Sequence, residues 1–440
     1  MITRRQAITN TLFGTGYLGL RALATGLPAS FLLDPRRALA QSASPPAPTC
    51  GDPAKAQFII LNTSGAGDPI NANVPGTYDD PAIVHSADPA MAPVSLSLRG
   101  RATTAAAPWA SLPQPVLDRT CFWHLMTNTP IHPKEPDVLK LMGTIGAGEM
   151  LPSLLARYLA PCLGTIQAQP ISVGATTPAE GLSYAGAAQP IIPALALKAT
   201  LTTPAGPLAN LQSLRDQTLG SLYDLYKNGA SPAQRRYIDS LVTSQQQVRS
   251  INQDLLGALS SITDNSAASQ ILAAVTLIQM KVTPVIAIHI PFGGDNHRDL
   301  GLAAESAQTV AGVAAIGALM QRLDAAGLTD RVSLVSLNVF GRTLGPGNTD
   351  GRQHNANHQV SIAIGKPFAG GVIGGVGPTA GDYGALAIDS QSGAGAPGGD
   401  VSPVQSLPSF GRTLLAAVGV DDAVAAAQIS SGKVVRAALS

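Results

Sequence analysis

Charge is the first thing this chain has little of. Aspartate, glutamate, lysine and arginine make up 12% of its 440 residues, about half the roughly 25% usual for a globular protein. The 28 basic and 27 acidic residues nearly cancel, to a formal net charge of +1. No basic stripe and no acidic tail occurs, which excludes nucleic acid and an anionic membrane surface as expected partners. Aromatic residues are at 4%, too few for a platform that stacks bases or sugars. Only three cysteines occur, Cys50, Cys121 and Cys162, and no C-x-x-C spacing, so a structural cysteine–zinc site is not expected. There is no Walker lysine motif and no G-x-S-x-G elbow. The glycine-rich stretches GTIGAGEM at 143–150 and GGVIGGVG at 370–377 do not follow a strand, open a helix and place an acid about twenty residues on, as a dinucleotide loop requires. Beyond the amino-terminal segment no run reads as long and apolar enough to cross a bilayer, so no stable span is expected in the mature protein.

What is present begins with 45 glycines and 34 prolines, the composition of a chain with many turns. The length suits two or three average domains, or a single large α/β domain with an insertion. Residues 1–40 resemble a twin-arginine signal peptide: Arg4 and Arg5 follow Thr3, a moderately apolar segment follows, and Ala38-Leu39-Ala40 forms a small-x-small cleavage site before Gln41. Arg21 and Pro28 interrupt the apolar run, against a membrane anchor. The twin-arginine translocation machinery, which carries proteins already folded and often loaded with a cofactor, is therefore an expected partner, and the mature protein is expected to be periplasmic or secreted. A linker spans 41–56, and the remainder, 57–440, reads as the folded domain. Three cysteines suit an oxidising compartment. Cys121 is expected to pair with Cys162, because Cys50 lies in the flexible-looking entry segment SASPPAPTCGDP.

Within 57–440 apolar runs alternate with helical patterns. Strands are expected at Phe58 to Leu61, Cys121 to Met126, the apolar run ending VTPVIAIHI, 332–337 and 359–364. A helix between the third and fourth carries Val310, Val313, Gly317, Met320 and Leu323 on one face, with Gly327 as its C-cap. This βαβ rhythm predicts an α/β fold, a mostly parallel central sheet between helical layers. The region 200–280 changes to long polar helices, with Pro232 after Ser231 at a helix start, and reads as a helical insertion or lid.

In such sheets ligands collect at the carboxyl ends of the strands, and four polar loops lie there. The first carries Asp68 and Asn71. The second carries Thr127, Asn128, Thr129 and His132. The third, FGGDNHRDL, carries Asp295 and His297; the last, NVFGRTLGPGNTDGRQHNANH, carries His354 and His358. Residues two apart in extended backbone point to the same side, so Asp295 and His297 can converge on one ion. A carboxylate and an imidazole suit zinc, manganese or iron, with calcium or magnesium favoured only where oxygen ligands dominate. The alternative for this pair is a capped turn before the next helix. His354 and His358 lie in a glycine- and asparagine-rich segment whose irregular backbone does not make both of them ligands. His289, inside an apolar strand, reads as a satisfied core histidine.

The order of these pieces, the export signal, LNTSGAGDPIN, GGDNH, NVFGRT, DGRQHNANHQVSIAIG and AGGVIGGV, resembles the exported domain-of-unknown-function 1501 family within the alkaline phosphatase and sulfatase superfamily. The resemblance covers most of the mature chain and is strongest over about 283–390. It implies an alkaline phosphatase-like fold, a site for one or two divalent metal ions, and a nucleophile that attacks a phosphate or sulfate ester. Matched motif by motif, it implies Asp68, Asp295, His297 and His354 as metal ligands and Thr129 as nucleophile. The family pattern places an aspartate before the last-loop histidine, and this chain has Gln353 there. Two functions follow: a metal-dependent hydrolase, or a binding or assembly protein that keeps the fold with a degenerate site.

Overall fold

The computed structural model describes residues 49–440 apart from 68, 175–180, 293 and most of 203–256. The expected signal peptide and most of the linker lie outside the described residues, as do Asp68 and most of the expected helical insertion. The core is a seven-stranded sheet. Its strands, in chain order, are β1 (Phe58–Ser64), β2 (Thr120–Leu125), β3 (Ile171–Ser172), β4 (Val285–Ile288), β5 (Val332–Asn338), β6 (Gln359–Ile364) and β7 (Gly371–Ile373). They are arranged β7-β2-β6-β5-β1-β4-β3. β1 pairs in parallel with β4 and β5, β3 with β4, and β7 with β2. Only β6 runs the other way, antiparallel to both β2 and β5. The fold is thus mixed α/β with a mostly parallel sheet.

β1 explains its own central position. All seven residues of FIILNTS are buried, the continuous pattern of a strand covered on both faces. β4 and β5 flank it, joined by helix α3, so the connection crosses over β1. The helices packed on the sheet are α1 (Leu151–Leu163), α2 (Ala267–Gln279), α3 (Ala303–Ala325) and α4 (Pro403–Ala417). α3 buries Thr309, Gly312, Val313, Ile316, Leu319 and Leu323. Its buried stripe is therefore rotated from the expected one, and Val310 is exposed. Gly312 lies against Phe292, where a Cβ would come within 2.4 Å of the ring. Contrary to the reading of the sequence, the helical stretch Leu300–Ala325 that contains α3 is long and apolar enough, by length and composition, to cross a membrane; the buried side chains of α3 join the core.

The described last part of the stretch 200–280, α2, is helical as expected; it buries every residue from Ser269 to Ile278, and the Oε1 of Gln270 accepts the amide of His289 at the end of β4. One expectation needs correction. The disulfide joins Cys50 to Cys162, with Cα atoms 5.2 Å apart, and Cys121 is free and buried. Cys121 is the second residue of β2, whose six residues are all buried, so it is held in the sheet, while Cys162 lies in the last turn of α1. The entry segment is anchored to meet it, as the amide of Asp52 donates to the carbonyl of Gly419. The bond closes a sequence separation of 112 residues, for which chain entropy gives roughly 4–5 kcal/mol. Cys162→Ser is expected to lower the unfolding free energy by about 2–5 kcal/mol in denaturant titrations; equal midpoints for wild type and variant would contradict this pairing.

Candidate metal centre

The carboxyl edge of the sheet gathers the site. Gly65 to Gly67 leave β1, the loop with Pro130 and His132 follows β2, Asp295 and His297 follow β4, and Arg342 follows β5. Because β6 is antiparallel, its amino end lies at this same edge, and His354 arrives just before it. His354 pairs with Arg342 in a two-stranded antiparallel ribbon made by Gly341–Arg342 and His354–Asn355.

His132, Asp295, His297 and His354 each offer one ligand atom, and these atoms all lie within 4.8 Å of one another. The Nε2 of His297 lies 3.0 Å from Oδ1 of Asp295, and those of His132 and His354 lie 3.7 Å from it. His297 and His354 bring their Nε2 atoms within 2.8 Å of each other. Two rings are oriented by the backbone: Nδ1 of His132 lies 2.7 Å from the carbonyl of Gly65, and Nδ1 of His354 lies 2.6 Å from that of Pro130. A carbonyl only accepts, so each Nδ1 carries a proton and each Nε2 is left facing the cluster. This is the arrangement that orients a metal-binding histidine. Phe340 packs against His354 and His132, at 4.3 and 4.9 Å between ring centroids. The group could hold a metal ion.

The surroundings favour an ionised Asp295 and an unprotonated His354. Desolvation acts to raise the Asp295 carboxyl pKa, but the Arg342 guanidinium and the neighbouring His297 and His132 outweigh it and hold the group below the usual carboxylate range. Desolvation lowers the His354 pKa, aided by Arg342 and the two other rings, against the carbonyl of Pro130. Arg342 is itself fully buried. Its Nη1 lies 3.2 Å from Asp295 Oδ1, and Nη2 donates to the carbonyls of Ala66 and Gly294 at 2.6 and 3.1 Å.

Among the residues expected from the sequence, Asp295, His297 and His354 converge. His132, named there only as a polar loop residue, completes the group; its signal was a histidine in a loop after a strand at the right edge. Thr129 is buried in the loop that supplies the Pro130 carbonyl, and no hydrogen bond joins it to the cluster. Gln353 is exposed, and its backbone pairs with Thr343; its side chain is not among the four ligands. The turn before α3 is capped by Asp299, whose carboxylate accepts the amides of Ala304 and Glu305, so the Asp295–His297 pair is free of that duty. His289 is half-buried, with Nδ1 3.3 Å from the Thr63 carbonyl, consistent with a core histidine.

His358 belongs to a different construction. Beneath the site, Asn71 Nδ2 lies 3.3 Å from His358 Nδ1, His358 Nε2 lies 2.9 Å from His124 Nδ1, and His124 Nε2 lies 2.8 Å from the Pro75 carbonyl. One assignment satisfies every atom: Asn71 donates to His358, which donates to His124, which donates to the carbonyl. Both rings are then neutral. Desolvation pushes the His124 pKa down to about 4, and desolvation and the adjacent ring push that of His358 well down.

No protein-family model matches the chain, and no curated protein matches it.

Two outcomes follow. Metal bound at pH 7–8 is expected to be lost on acidification, because protons compete for the imidazole nitrogens. The part of that loss due to His354 falls below the ordinary imidazole range near about 6.5, and a metal-binding titration across pH 4–8 checks it. Separately, unfolded His124 takes up a proton near about pH 6.5 and the folded residue does so only at about 4. The unfolded state therefore binds more protons between these values, so the stability associated with neutral His124 is complete above about pH 6.5 and declines toward pH 4, by about 3 kcal/mol. Chemical denaturation of metal-free protein at each pH would show the slope, and a flat profile would contradict the neutral pair.

Proposed function

We propose that this protein is an exported, metal-dependent hydrolase-like protein that acts on a phosphate or sulfate ester. The observation that carries the reading is the set of four ligand atoms within 4.8 Å, two of them on imidazoles fixed by backbone carbonyls. Three nitrogens and one carboxylate favour zinc, manganese or iron over calcium or magnesium. A divalent ion bound there supplies a Lewis acid for a phosphoryl or sulfuryl oxygen.

The chain's own residues prepare the ground for that. The backbone carbonyls of Gly65 and Pro130 keep the Nε2 atoms of His132 and His354 directed inward. Asp295 stays ionised under Arg342, and its side chain is 54% exposed, so the cluster is open to solvent on that side and a substrate can reach it. Among the described residues no serine, threonine or cysteine is hydrogen-bonded to the four ligands, so water is the nucleophile of this reading and Thr129 is not assigned the role. The resemblance to the domain-of-unknown-function 1501 family and the twin-arginine-like segment support an alkaline phosphatase-like chain carried folded to the periplasm or beyond. A second reading, a binding or assembly protein, is favoured by one contact: Arg342 already engages the Asp295 oxygen nearest the histidines.

Protein purified from the exported fraction is expected to carry about one divalent ion per chain and to hydrolyse p-nitrophenyl phosphate or p-nitrophenyl sulfate. His297→Ala is expected to lower metal affinity and turnover by about 10-fold or more. Metal uptake without turnover of either ester would favour the binding or assembly protein, and absence of metal uptake would overturn the hydrolase reading and leave the binding or assembly protein with a degenerate site.

A further inference from the structure

Asp295 and His297 arrive on one irregular loop and His354 on another, so the site needs something to set the distance between the loops. The structure offers a buried ion pair. Arg352 and Glu305 are both fully buried. Arg352 Nε donates to Glu305 Oε2 at 2.6 Å and Nη2 to Oε1 at 3.1 Å, a two-pronged contact of the kind that fixes orientation as well as distance.

The pair is tied to both loops. Asn296, between Asp295 and His297, donates from Nδ2 to Glu305 Oε2 at 3.4 Å, and its carbonyl accepts the Arg352 amide at 3.0 Å. Arg352 stands two residues before His354. Its other donors reach the carbonyls of Thr343 and Val84, at 2.8 and 2.7 Å. Asn73, from the loop after β1, donates to Glu305 Oε1 at 2.9 Å. Glu305 is in the first turn of α3 and so moves with the core. Gly351 lets the loops meet: it has φ 125°, and a Cβ there would stand 2.4 Å from the His297 carbonyl oxygen.

We propose that the Arg352–Glu305 pair is the positioning element of the metal centre, holding the Asp295–His297 loop and the His354 loop in register without touching the ion. The inference rests on the metal-site reading above. Such outer residues typically change metal affinity by about 10- to 100-fold when removed.

Removing one charge alone would strand its buried partner, so the test replaces both, as Glu305→Leu with Arg352→Met. Metal-free wild type and double variant are titrated with Co2+, whose visible absorption reports ligand geometry, and then with Zn2+ in competition. A double variant that folds, by circular dichroism and a cooperative melt, should bind both ions about 10- to 100-fold more weakly, with an altered Co2+ spectrum. A merely structural role would change the melt and leave the spectrum as it was. A folded double variant with wild-type affinity and spectrum overturns this inference alone. A wild type that takes up neither ion overturns the site reading and this inference together. Should the double variant not fold, Asn296→Ala cuts the side-chain tie and leaves the ion pair; several-fold weaker Co2+ binding supports the proposal, and unchanged binding overturns it.

Discussion

The buried Arg342 guanidinium is the constraint around which this edge of the sheet is organised. A cation removed from water must be met by acceptors, or the fold loses several kcal/mol. Arg342 meets that demand with a carboxylate oxygen of Asp295 and with the carbonyls of Ala66, Gly67 and Gly294. These acceptors come from the loops after β1 and β4, so satisfying one side chain brings two crossovers together. Its backbone extends the reach, since its amide donates to Asn71 Oδ1 and its carbonyl accepts from Asn71 Nδ2. The same Asn71 starts the chain through His358 to His124. The cluster that could hold a metal and the neutral histidine pair below it thus share one support.

That arrangement separates the histidines by environment. His124 and His358 are fully buried, no carboxylate among the described residues is hydrogen-bonded to them, and their hydrogen bonds form a single directional chain. Neutrality is what their surroundings favour. His132, His297 and His354 are only partly buried, and all three approach the carboxylate of Asp295. Residue type is the same in both groups; position relative to Arg342 and the sheet edge decides whether an imidazole braces the interior or faces a possible ligand.

Much of this was legible in the sequence where local pattern governs. β6 falls at 359–364 as expected, and the βαβ unit of β4, α3 and β5 follows from apolar periodicity. Asp295, His297 and His354 were readable because a strand followed by a glycine-rich polar loop places side chains at one edge. The remainder depended on long-range facts. The reversed direction of β6 carries no local signature, yet it is what returns His354 to the edge. His132 could not be told from its polar neighbours without knowing that the Gly65 carbonyl stands beside it. Cys50 was misjudged because composition reads SASPPAPTCGDP as loose, whereas the Gly419 carbonyl anchors the chain at Asp52. Gln353 looked like a degraded ligand from its place beside His354, but in extended backbone neighbours face opposite ways, and its side chain is exposed.

The central claim is that three imidazoles and one carboxylate from separate loops converge on a single ion. X-ray absorption spectroscopy of the full chain loaded with one equivalent of Zn2+ tests it most directly, because imidazole rings leave multiple-scattering features that carboxylates and water do not. The account predicts a nitrogen- and oxygen-only shell with Zn–ligand distances of about 2.0–2.2 Å, about three imidazoles in wild type and one fewer in His132→Ala. A shell without histidine, or one unchanged by His132→Ala, would contradict it.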